Sequence, residues 1–558
     1  MRRSPVPLRP VAAWLLPFAT GAPVSAQVVD EPILVNGSLV YPEGAAIPKW
    51  MTPTESAYIE TRPLEAMRGT TPPPEGPIYC PAEYEPMQGI LIAWESFTST
   101  LALMAAHITT TGNADIYVMC DTASEANTAR NAIDNVVSPE ANMSRVFTFV
   151  APTDTVWIRD YGPRYIYEGS IRAVIDHTYN RPRPNDDAQP SFWANAKKHP
   201  RYEIPLIHGG GNFHLSGLGL SHATGLIQNE NPMLTPAQIH GYWLDYQNLD
   251  TSIETPFPQY IDFTQHIDMW MEIIGDQAAV ISQWAASPPV NPGDPDPKQV
   301  CDDVAAALQV AGWTIHRTPA FYNTSSGVHY TFTNVVICND LVIVPSYTNP
   351  IASGSNATAL ATWQAAMPGK TCVALNGESI AALAGVFHCI MMHVPAPLGG
   401  NSPTVYLRSP RGPETLEPGS MVDIRWSTDD DVGVSNVDIL YSTDGGTTFP
   451  NVIASATADD GLFAWSVPIE YTNQGRIKVM ARDADSHTGF DSSSSDLIIH
   501  CLGDANADHS IDFDDVISIL ANWSISGGPF TPGDGNGDGT VNFDDVTTTL
   551  ANWGAVCP

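Results

Sequence analysis

The sequence predicts a large α/β domain, followed by an all-β unit and a small helical unit at the C-terminus. Three observations predict this order. Short apolar runs alternate with helical stretches over residues 78–398, polar and apolar residues alternate from about residue 401, and residues 501–558 contain an internal repeat. Strands that alternate with helices predict a mixed or parallel sheet, whereas two-residue alternation predicts half-buried strands.

Residues 1–26 have the order of a secretory signal peptide. Met1 to Arg3 is basic, an apolar stretch follows at Val11 to Phe18, and small residues precede Ala26. We therefore expect cleavage after about Ala26 and export of the chain. The alternative is a buried N-terminal helix, which Pro10 and Pro17 disfavour. No later apolar run reaches about 18 residues, so no membrane span is predicted.

Residues 27–77 form a leader or propeptide that is rich in proline, threonine and glutamate. No hydrophobic period continues through this segment, so the sequence predicts an extended leader without a core of its own. Strand and helix signals begin at Cys80.

The chain is strongly acidic, with 25 Lys and Arg residues against 60 Asp and Glu residues and a formal net charge of −35. This charge repels nucleic acid and anionic lipid, so neither is an expected partner. It attracts cationic ligands, but acidity that keeps an exported protein soluble explains it equally well.

Strand and helix signals repeat through residues 78–398. Strands are predicted at Gly89 to Trp94 and Ile116 to Met119, with a helix between them near Leu101 to Thr109. A Pro- and Gly-rich loop at residues 287–295 interrupts the pattern. We take this loop as an excursion inside one domain, because candidate catalytic residues lie on both sides of it.

Four side chains in this domain match the chemistry that opens a guanidinium group. Carboxylates must hold the planar cation, a thiolate must attack its carbon, and a histidine must transfer protons. Asp160 and Asp268 are the candidate carboxylates, Cys389 is the candidate nucleophile, and His266 is the candidate acid and base. On an extended strand, His266 and Asp268 would point into one pocket. Taken singly, each residue also fits a structural role, as a buried cysteine, an orienting pair or an ion pair.

Together these residues lie in stretches that resemble the bacterial peptidylarginine deiminase and agmatine deiminase family, within the guanidine-modifying superfamily. The matching stretches are CPAEYEPMQGILIAW (80–94), WIRDYGP (157–163), GGGNF (209–213), QHIDMW (265–270), TNVVICNDLVIVPSY (333–347) and GVFHC (385–389). The resemblance implies a five-bladed α/β propeller (pentein) with the site on its central axis. It also implies that Trp157 and Asn334 line the pocket and that Cys389, His266, Asp160 and Asp268 have the roles given above. No cofactor is expected for catalysis.

The segment YNRPRPND at residues 179–186 favours a substrate that carries a carboxylate. Arg181 and Arg183 are two residues apart, and the prolines hold the backbone extended, so both side chains can reach one anion. The segment resembles the substrate-carboxylate site of bacterial peptidylarginine deiminases. We therefore expect a secreted enzyme that converts C-terminal arginine of peptides to citrulline and ammonia through a thiouronium on Cys389. The alternatives are an agmatine deiminase and an inactive propeller that acts as a binding module.

Residues 401–500 predict a β-sandwich that resembles bacterial Ig-like modules. Val422 to Trp426, Val437 to Tyr441 and Arg476 to Met480 alternate polar and apolar residues, and turn residues separate them. Such modules are usually spacers, and we assign no chemistry to this unit.

Residues 501–558 contain two matching acidic loops at a 30-residue offset. Each loop spaces its oxygen-bearing side chains as a Ca²⁺ ion requires. These side chains are Asp504, Asn506, Asp508, Ser510, Asp512 and Asp515 in the first loop, and Asp534, Asn536, Asp538, Thr540, Asn542 and Asp545 in the second. The repeat resembles a type I dockerin, which implies bound Ca²⁺ and a cohesin-like partner. The alternative is a pair of acidic turns without metal.

The sixth position of each loop requires a positive φ, which favours glycine. Gly539 stands there in the second loop but His509 in the first, so the first site is expected to be weaker. The eight cysteines of the chain form no CxxC pair, which argues against a structural zinc site. Export permits disulfides, and Cys501 and Cys557 bracket the last unit closely enough to suggest one.

Overall fold

A computed structural model of the protein describes residues 29–64 and 71–557. The predicted signal peptide, residues 1–26, lies outside the described residues. In the described ranges, no helix is both long enough and apolar enough to cross a membrane.

Five mixed sheets make up the described part of the α/β domain. Each sheet contains an antiparallel pair of strands beside a parallel pair. In spatial order, the strands are Met392–Pro395, Met87–Ala93, Asp115–Cys120 and Val146–Val150 in the first sheet; Ile78–Tyr79, Arg164–Glu168, Ile171–Tyr179 and Arg201–His208 in the second; His214–Leu215, Leu220–Thr224 and Asp250–Glu254 in the third; Met271–Gly275, Ala278–Trp284, Thr314–Asn323 and Val328–Thr331 in the fourth; and Val336–Cys338, Leu341–Ser346 and Thr371–Asn376 in the fifth.

Helices occupy the connections between the parallel strands, because parallel neighbours can be joined only by a crossover. The α-helices of the domain are Thr98–Thr110, Ala123–Asp134, Ile158–Tyr161, Pro184–Asp187, Gln189–Lys197, Leu226–Glu230, Pro236–Gln247, Pro297–Val310, Pro350–Ser353, Asn356–Ala366 and Glu378–Ala381, and the 3₁₀ turns are Met143–Arg145, Ile267–Met269 and His388–Ile390. The predicted strand–helix–strand order between Gly89 and Met119 is therefore confirmed.

The last strand of the α/β domain closes it onto its beginning. Met392–Pro395 pairs antiparallel with Met87–Ala93 at the edge of the first sheet. Residues near 390 and residues near 90 are thus neighbours, although the chain runs through all five sheets between them.

The predicted leader contains regular structure. A hairpin joins Ile33–Val35 to Ser38–Val40, and a helix covers Pro53–Thr61. Thr52 and Glu55 form a capping box that starts this helix. The prediction of an extended segment is therefore wrong over these residues, because short elements supported by the neighbouring domain need no long period in the sequence.

A two-sheet β unit and a two-helix unit follow the α/β domain. The strands are Thr404–Ser409, Met421–Asp429 and Leu462–Ser466 in one sheet, and Thr415–Leu416, Leu497–Ile499, Thr472–Asp483, Val434–Ser442, Asn451–Thr457 and Thr488–Ser492 in the other, and the helices are Phe513–Ala521 and Phe543–Ala551. The predicted bond between Cys501 and Cys557 is present. His509 has a φ of 69° and Gly539 a φ of 81°, so both sixth loop positions are left-handed as expected.

Candidate active site

The candidate residues meet where the connections between successive sheets converge. Asp160 lies between the first and second sheets, the GGG motif at 209–211 between the second and third, and Asp268 between the third and fourth. Asn334 follows the fourth sheet, and Cys389 lies between the fifth sheet and the strand that returns to the first. Each sheet therefore delivers one loop to the same point, although these residues span more than 200 positions of the sequence.

Cys389 lies in the 3₁₀ turn His388–Ile390 and is fully buried. Its Sγ is 3.5 Å from Asp268 Oδ2 and 3.2 Å from Asn334 Nδ2. The backbone N–H of Val386 donates to Asn334 Oδ1, which holds this amide beside the sulfur. The structure thus brings the predicted nucleophile to one of the two predicted carboxylates.

Asp160 and Asp268 form the second part of the site, which we call the guanidinium clamp. Both are buried. Asp160 Oδ1 accepts a hydrogen bond of 3.1 Å from the backbone N–H of Gly211, and Asp268 Oδ2 lies 2.9 Å from His388 Nδ1. His266 Nδ1 is 3.5 Å from Asp160 Oδ1. The clamp and the histidine therefore enclose one small space.

Gly211 allows this convergence because it has no side chain. A Cβ at this position would stand 2.8 Å from Asp160 Oδ1, 2.8 Å from Asp268 Oδ2 and 2.8 Å from His266 Nδ1. The predicted strand at His266 and Asp268 is wrong, because Ile267–Met269 is a 3₁₀ turn. The two side chains reach one pocket through this turn and the neighbouring glycine, not through strand alternation.

The remaining predicted pocket residues also border the site, but their partners come from the leader. Trp157 Nε1 donates to the carbonyl of Ile47 at 2.8 Å, and Arg181 Nε donates to the carbonyl of Lys49 at 3.2 Å. Arg183 is fully buried, and its Nε lies 2.7 Å from Glu55 Oε1. Arg183 is therefore not free to meet a second anion while Glu55 is in place.

Lys49 enters the centre of the site from this leader. It is fully buried, and its Nζ lies 2.9 Å from Cys389 Sγ, 340 residues away in the sequence. The same Nζ is 3.5 Å from Asp160 Oδ1 and 3.7 Å from Asp268 Oδ2. A leader cation thus contacts the predicted nucleophile and both members of the clamp.

The charges of these groups depend on one another. Burial alone would raise the pKa of Asp160, but Lys49 and then His266 lower it to about 2. For Asp268, Lys49 and then His388 outweigh burial and lower the pKa well below its usual range. The clamp is therefore ionised at neutral pH. Burial, followed by Asp268, raises the pKa of the Cys389 thiol to about 12, whereas the Lys49 cation favours the thiolate. Burial also lowers the pKa of His266, and Lys49 adds to this effect.

A charged network lies behind the clamp. His388 joins Asp268 to Glu83, because its Nδ1 contacts Asp268 and its Nε2 lies 3.1 Å from Glu83 Oε2. Three side chains here, those of Glu83, His214 and His388, each have an atom that can bind a metal ion, and these three atoms lie within 4.8 Å of one another. Arg159 NH1, however, is 2.6 Å from Glu83 Oε1 and already balances this carboxylate. We therefore interpret the network as support for Asp268.

Three residues of the site, Glu83, His388 and Lys49, were missed at the level of sequence, and His388 lies next to the predicted nucleophile in the matching stretch at residues 385–389. Glu83 lies inside the matching stretch at residues 80–94 but had no assigned role. Lys49 had no signal from periodicity or local motif. Its one distinguishing feature is that it is the only lysine within residues 27–77 of the sequence.

Known proteins share this domain. Residues 79–395, more than half of the chain, match the Porphyromonas-type peptidyl-arginine deiminase family. An agmatine deiminase of Ectopseudomonas mendocina (strain ymp) is 24% identical over 381 residues, which cover 59% of this chain and 98% of that protein. Two solved structures, agmatine deiminases of C. jejuni and Enterococcus faecalis, are each 17% identical to this chain, with TM-scores of 0.45 and 0.48. The matches cover 57% and 60% of this chain and 96% and 99% of those chains.

Proposed function

The chain belongs to the Porphyromonas-type peptidyl-arginine deiminase family, and from that premise we propose that it is a secreted hydrolase that converts arginine in peptides to citrulline and ammonia. Its α/β domain has the pentein-type deiminase fold of that family, and we propose that the five sheets are the blades of a propeller. The observation that carries the proposal is the meeting of a thiol and two ionised carboxylates around a single cation.

In the proposed reaction, the guanidinium clamp holds the planar substrate cation while Cys389 attacks it. His266 accepts the thiol proton as the sulfur bonds to the central carbon, and it then passes that proton to one nitrogen of the substrate. The bond from carbon to that nitrogen breaks, ammonia leaves, and a thiouronium remains on the sulfur. His266 then deprotonates a water that adds to the same carbon. The carbon–sulfur bond breaks and the added hydroxyl group loses its proton to water, which releases neutral citrulline and restores the thiolate.

A cation beside the sulfur favours the attacking thiolate. Burial, followed by Asp268, raises the pKa of the Cys389 thiol to about 12, and the Lys49 cation opposes this rise. The substrate guanidinium would supply that charge and would be the electrophile at the same time. Its two hydrogen-bonding edges suit two separate carboxylates, which explains why the site contains both Asp160 and Asp268.

Peptidyl arginine is the substrate class we propose, with preference for a C-terminal arginine. Arg181 supports this choice, because its Nε donates to the main-chain carbonyl of Lys49, whose side chain occupies the clamp. For a C-terminal arginine bound with its side chain in the clamp, a carboxylate oxygen would stand at the place of that carbonyl. Agmatine has no such oxygen. Agmatine deimination remains the second candidate, because relatives matched over 98% of their length are agmatine deiminases.

We also propose that the C-terminal unit binds Ca²⁺ and docks to a cohesin-like partner as a dockerin-like module, and that the β unit is an Ig-like spacer. The chemistry of the acidic loops fits Ca²⁺, because their donors are carboxylate, amide and hydroxyl oxygens. Asp515 and Asp545 are buried. Burial raises the pKa of both carboxyl groups, and their hydrogen bonds come from backbone N–H groups of their own loops. The oxygens assigned in the sequence would hold the ion and tie each loop to its helix.

Ammonia release from a peptide with C-terminal arginine, a peptide with internal arginine, free arginine and agmatine tests the proposed reaction. We expect the C-terminal peptide to have the highest kcat/KM and the Cys389→Ala variant to have no turnover while its circular dichroism is unchanged. Full activity of Cys389→Ala would refute the nucleophilic role. If the wild-type protein released ammonia from none of the four compounds, this result would favour the binding-module alternative.

A further inference from the structure

Residues 46–62, here called the leader arm, cross the candidate active site and fill its centre. We propose that the leader arm is a built-in pseudosubstrate that keeps the enzyme latent, with Lys49 in the subsite of the arginine side chain. The inference rests on the proposed deiminase function and adds to it a means of regulating the same site.

The length of the Lys49 side chain supports this assignment. The Nζ of lysine and the Cζ of arginine are each five bonds from Cα, so Nζ marks the position of the carbon that the thiolate would attack. That position is 2.9 Å from Cys389 Sγ, close to the separation of about 3–3.5 Å expected between reacting atoms. The clamp oxygens lie 3.5 and 3.7 Å from it. A guanidinium at this place would add one carbon–nitrogen bond toward each carboxylate and bring them into hydrogen-bond range.

Lysine is suited to occupy the site without reacting. Its ammonium supplies the positive charge that the clamp requires, but it has no carbon centre bonded to three nitrogens. The thiolate therefore has no electrophile to attack and no ammonia to expel. A lysine in this subsite blocks turnover for as long as it stays.

The domain holds the backbone on both sides of Lys49. The backbone N–H of Lys49 donates to the carbonyl of Leu383 at 3.1 Å, and Arg183 NH2 donates to the carbonyl of Pro48 at 2.8 Å. Together with the bonds from Trp157 and Arg181 described above, four contacts fix three consecutive residues, Ile47 to Lys49. This is the way a bound peptide is gripped, and it uses the residues predicted from sequence to bind substrate.

A second charge anchors the arm farther along. Glu55 forms a fully buried ion pair with Arg183, and the hydroxyl of Tyr41 donates to Glu55 Oε1 at 2.9 Å. The capping box at Thr52 fixes Glu55 at the start of its helix. The arm thus presents a cation to the clamp and a carboxylate to Arg183, and a C-terminal arginine carries one charge of each sign as well.

The first test compares Lys49→Ala with the wild-type full-length chain. The variant removes the plugging cation but leaves Glu55 and the helix of the arm in place. We expect kcat/KM for a peptide with C-terminal arginine to rise about tenfold or more, because activity scales with the fraction of molecules whose site is open. Arg62→Ala, which removes an exposed cation of the same arm, should match the wild type. Equal kcat/KM for wild type and Lys49→Ala, or lower activity in Lys49→Ala, would overturn the inference.

The second test converts the pseudosubstrate into a substrate. In the Lys49→Arg variant, the new guanidinium should be deiminated by the chain that carries it, so tryptic peptide mapping should find citrulline at position 49. The double variant Lys49→Arg/Cys389→Ala should retain arginine there. Unmodified arginine at position 49, in a preparation that turns over added peptides, would contradict the proposed placement.

A third measurement separates this inference from the proposed function, because it requires no turnover. We would follow alkylation of Cys389 by 2-chloroacetamidine, whose planar amidinium suits the clamp, and map the modified cysteine by mass spectrometry. Lys49→Ala should react about tenfold faster than wild type or more. Faster alkylation of Lys49→Ala without ammonia release from any substrate would refute the deiminase proposal but support the pseudosubstrate role of the leader arm. Equal alkylation rates for Lys49→Ala and the wild type would refute that role, whether or not the enzyme is active.

Discussion

The Lys49→Met substitution should destabilise the catalytic domain at pH 7 and much less near pH 2. Methionine keeps much of the buried volume of lysine, so the main change is loss of the cation that faces the guanidinium clamp. Against the effect of burial, Lys49 and then His266 lower the pKa of Asp160 from 3.8 to about 2. At about 1.36 kcal/mol per unit, this shift of about 1.8 units stabilises the folded domain by about 2.4 kcal/mol at neutral pH.

The pH dependence has a definite sign. A carboxyl group with a lowered pKa stabilises the folded state above its unfolded pKa, and this contribution is lost as the pH falls through the folded pKa. For Asp160 the loss runs from 3.8 down to about 2, and the same linkage leaves about 0.8 kcal/mol at about pH 2.5. Asp268 adds a contribution of the same sign, because Lys49 also lowers its pKa against the effect of burial.

Hydrogen exchange in the buried strand Met87–Ala93 would measure this effect. We expect these amides to exchange through unfolding of the catalytic domain, because the strand lies in its core, whereas the β unit and the helical unit have separate cores. We expect the free energies of unfolding of wild type and Lys49→Met to differ by about 2 kcal/mol or more at pH 7 and by about a third of that at about pH 2.5. Arg62→Met should match the wild type at both. Equal differences at the two pH values, or none at pH 7, would refute the reasoning.

Three further predictions follow from the site and the acidic loops. Gly211→Ala should slow ammonia release about 100-fold or more, because the added Cβ would meet both clamp carboxylates and the ring of His266. Gly241→Ala, whose Cβ meets nothing within 4 Å, should release ammonia at the wild-type rate. Equal rates for Gly211→Ala and the wild type would contradict this account. Arg181→Ala, made in the Lys49→Ala background, should lower kcat/KM about tenfold or more for C-terminal peptides but not for agmatine, and equal losses would refute the carboxylate contact. Ca²⁺ should raise the melting temperature of the C-terminal unit, and Asp545→Asn should halve the Ca²⁺ bound in a calorimetric titration; unchanged stoichiometry would count against the loop assignment.

The strands and helices of the α/β domain could be predicted because their signals are local. The helix predicted near Leu101 to Thr109 is Thr98–Thr110, and the strand predicted at Ile116 to Met119 is Asp115–Cys120. The strand predicted at His266 was wrong for a reason that lies elsewhere in the chain. Gln265 has a positive φ of 58° and a 3₁₀ turn follows it, and this turn fits beside Gly211 of another loop.

The residues of the candidate site could be named from short motifs, but their arrangement could not. Neither the spacing of Asp160 and Asp268 nor the position of Cys389 shows that one cation contacts all three. The role of Lys49 was out of reach, because it depends on a contact across 340 residues. The charge pairing of Arg183 with Glu55 was hidden for the same reason. Local patterns determine elements, whereas tertiary contacts determine which charges meet.

The electrostatics of the clamp indicate where the latency of the enzyme is controlled. Two buried carboxylates beside a thiol need a cation, since an uncompensated buried charge costs several kcal/mol. Lys49 supplies that charge in the closed site, and an arriving guanidinium would replace it without changing the net charge. The replacement of Lys49 by a substrate guanidinium therefore changes the electrostatic free energy of the clamp little. The ion pair of Glu55 with Arg183 has no such replacement unless the ligand carries its own carboxylate. The carboxylate of a C-terminal arginine would be shared by Arg181, at the place of the Lys49 carbonyl, and Arg183, at the place of Glu55. Agmatine would leave Arg183 buried and unpaired, so competition with the leader arm would favour peptides over the amine.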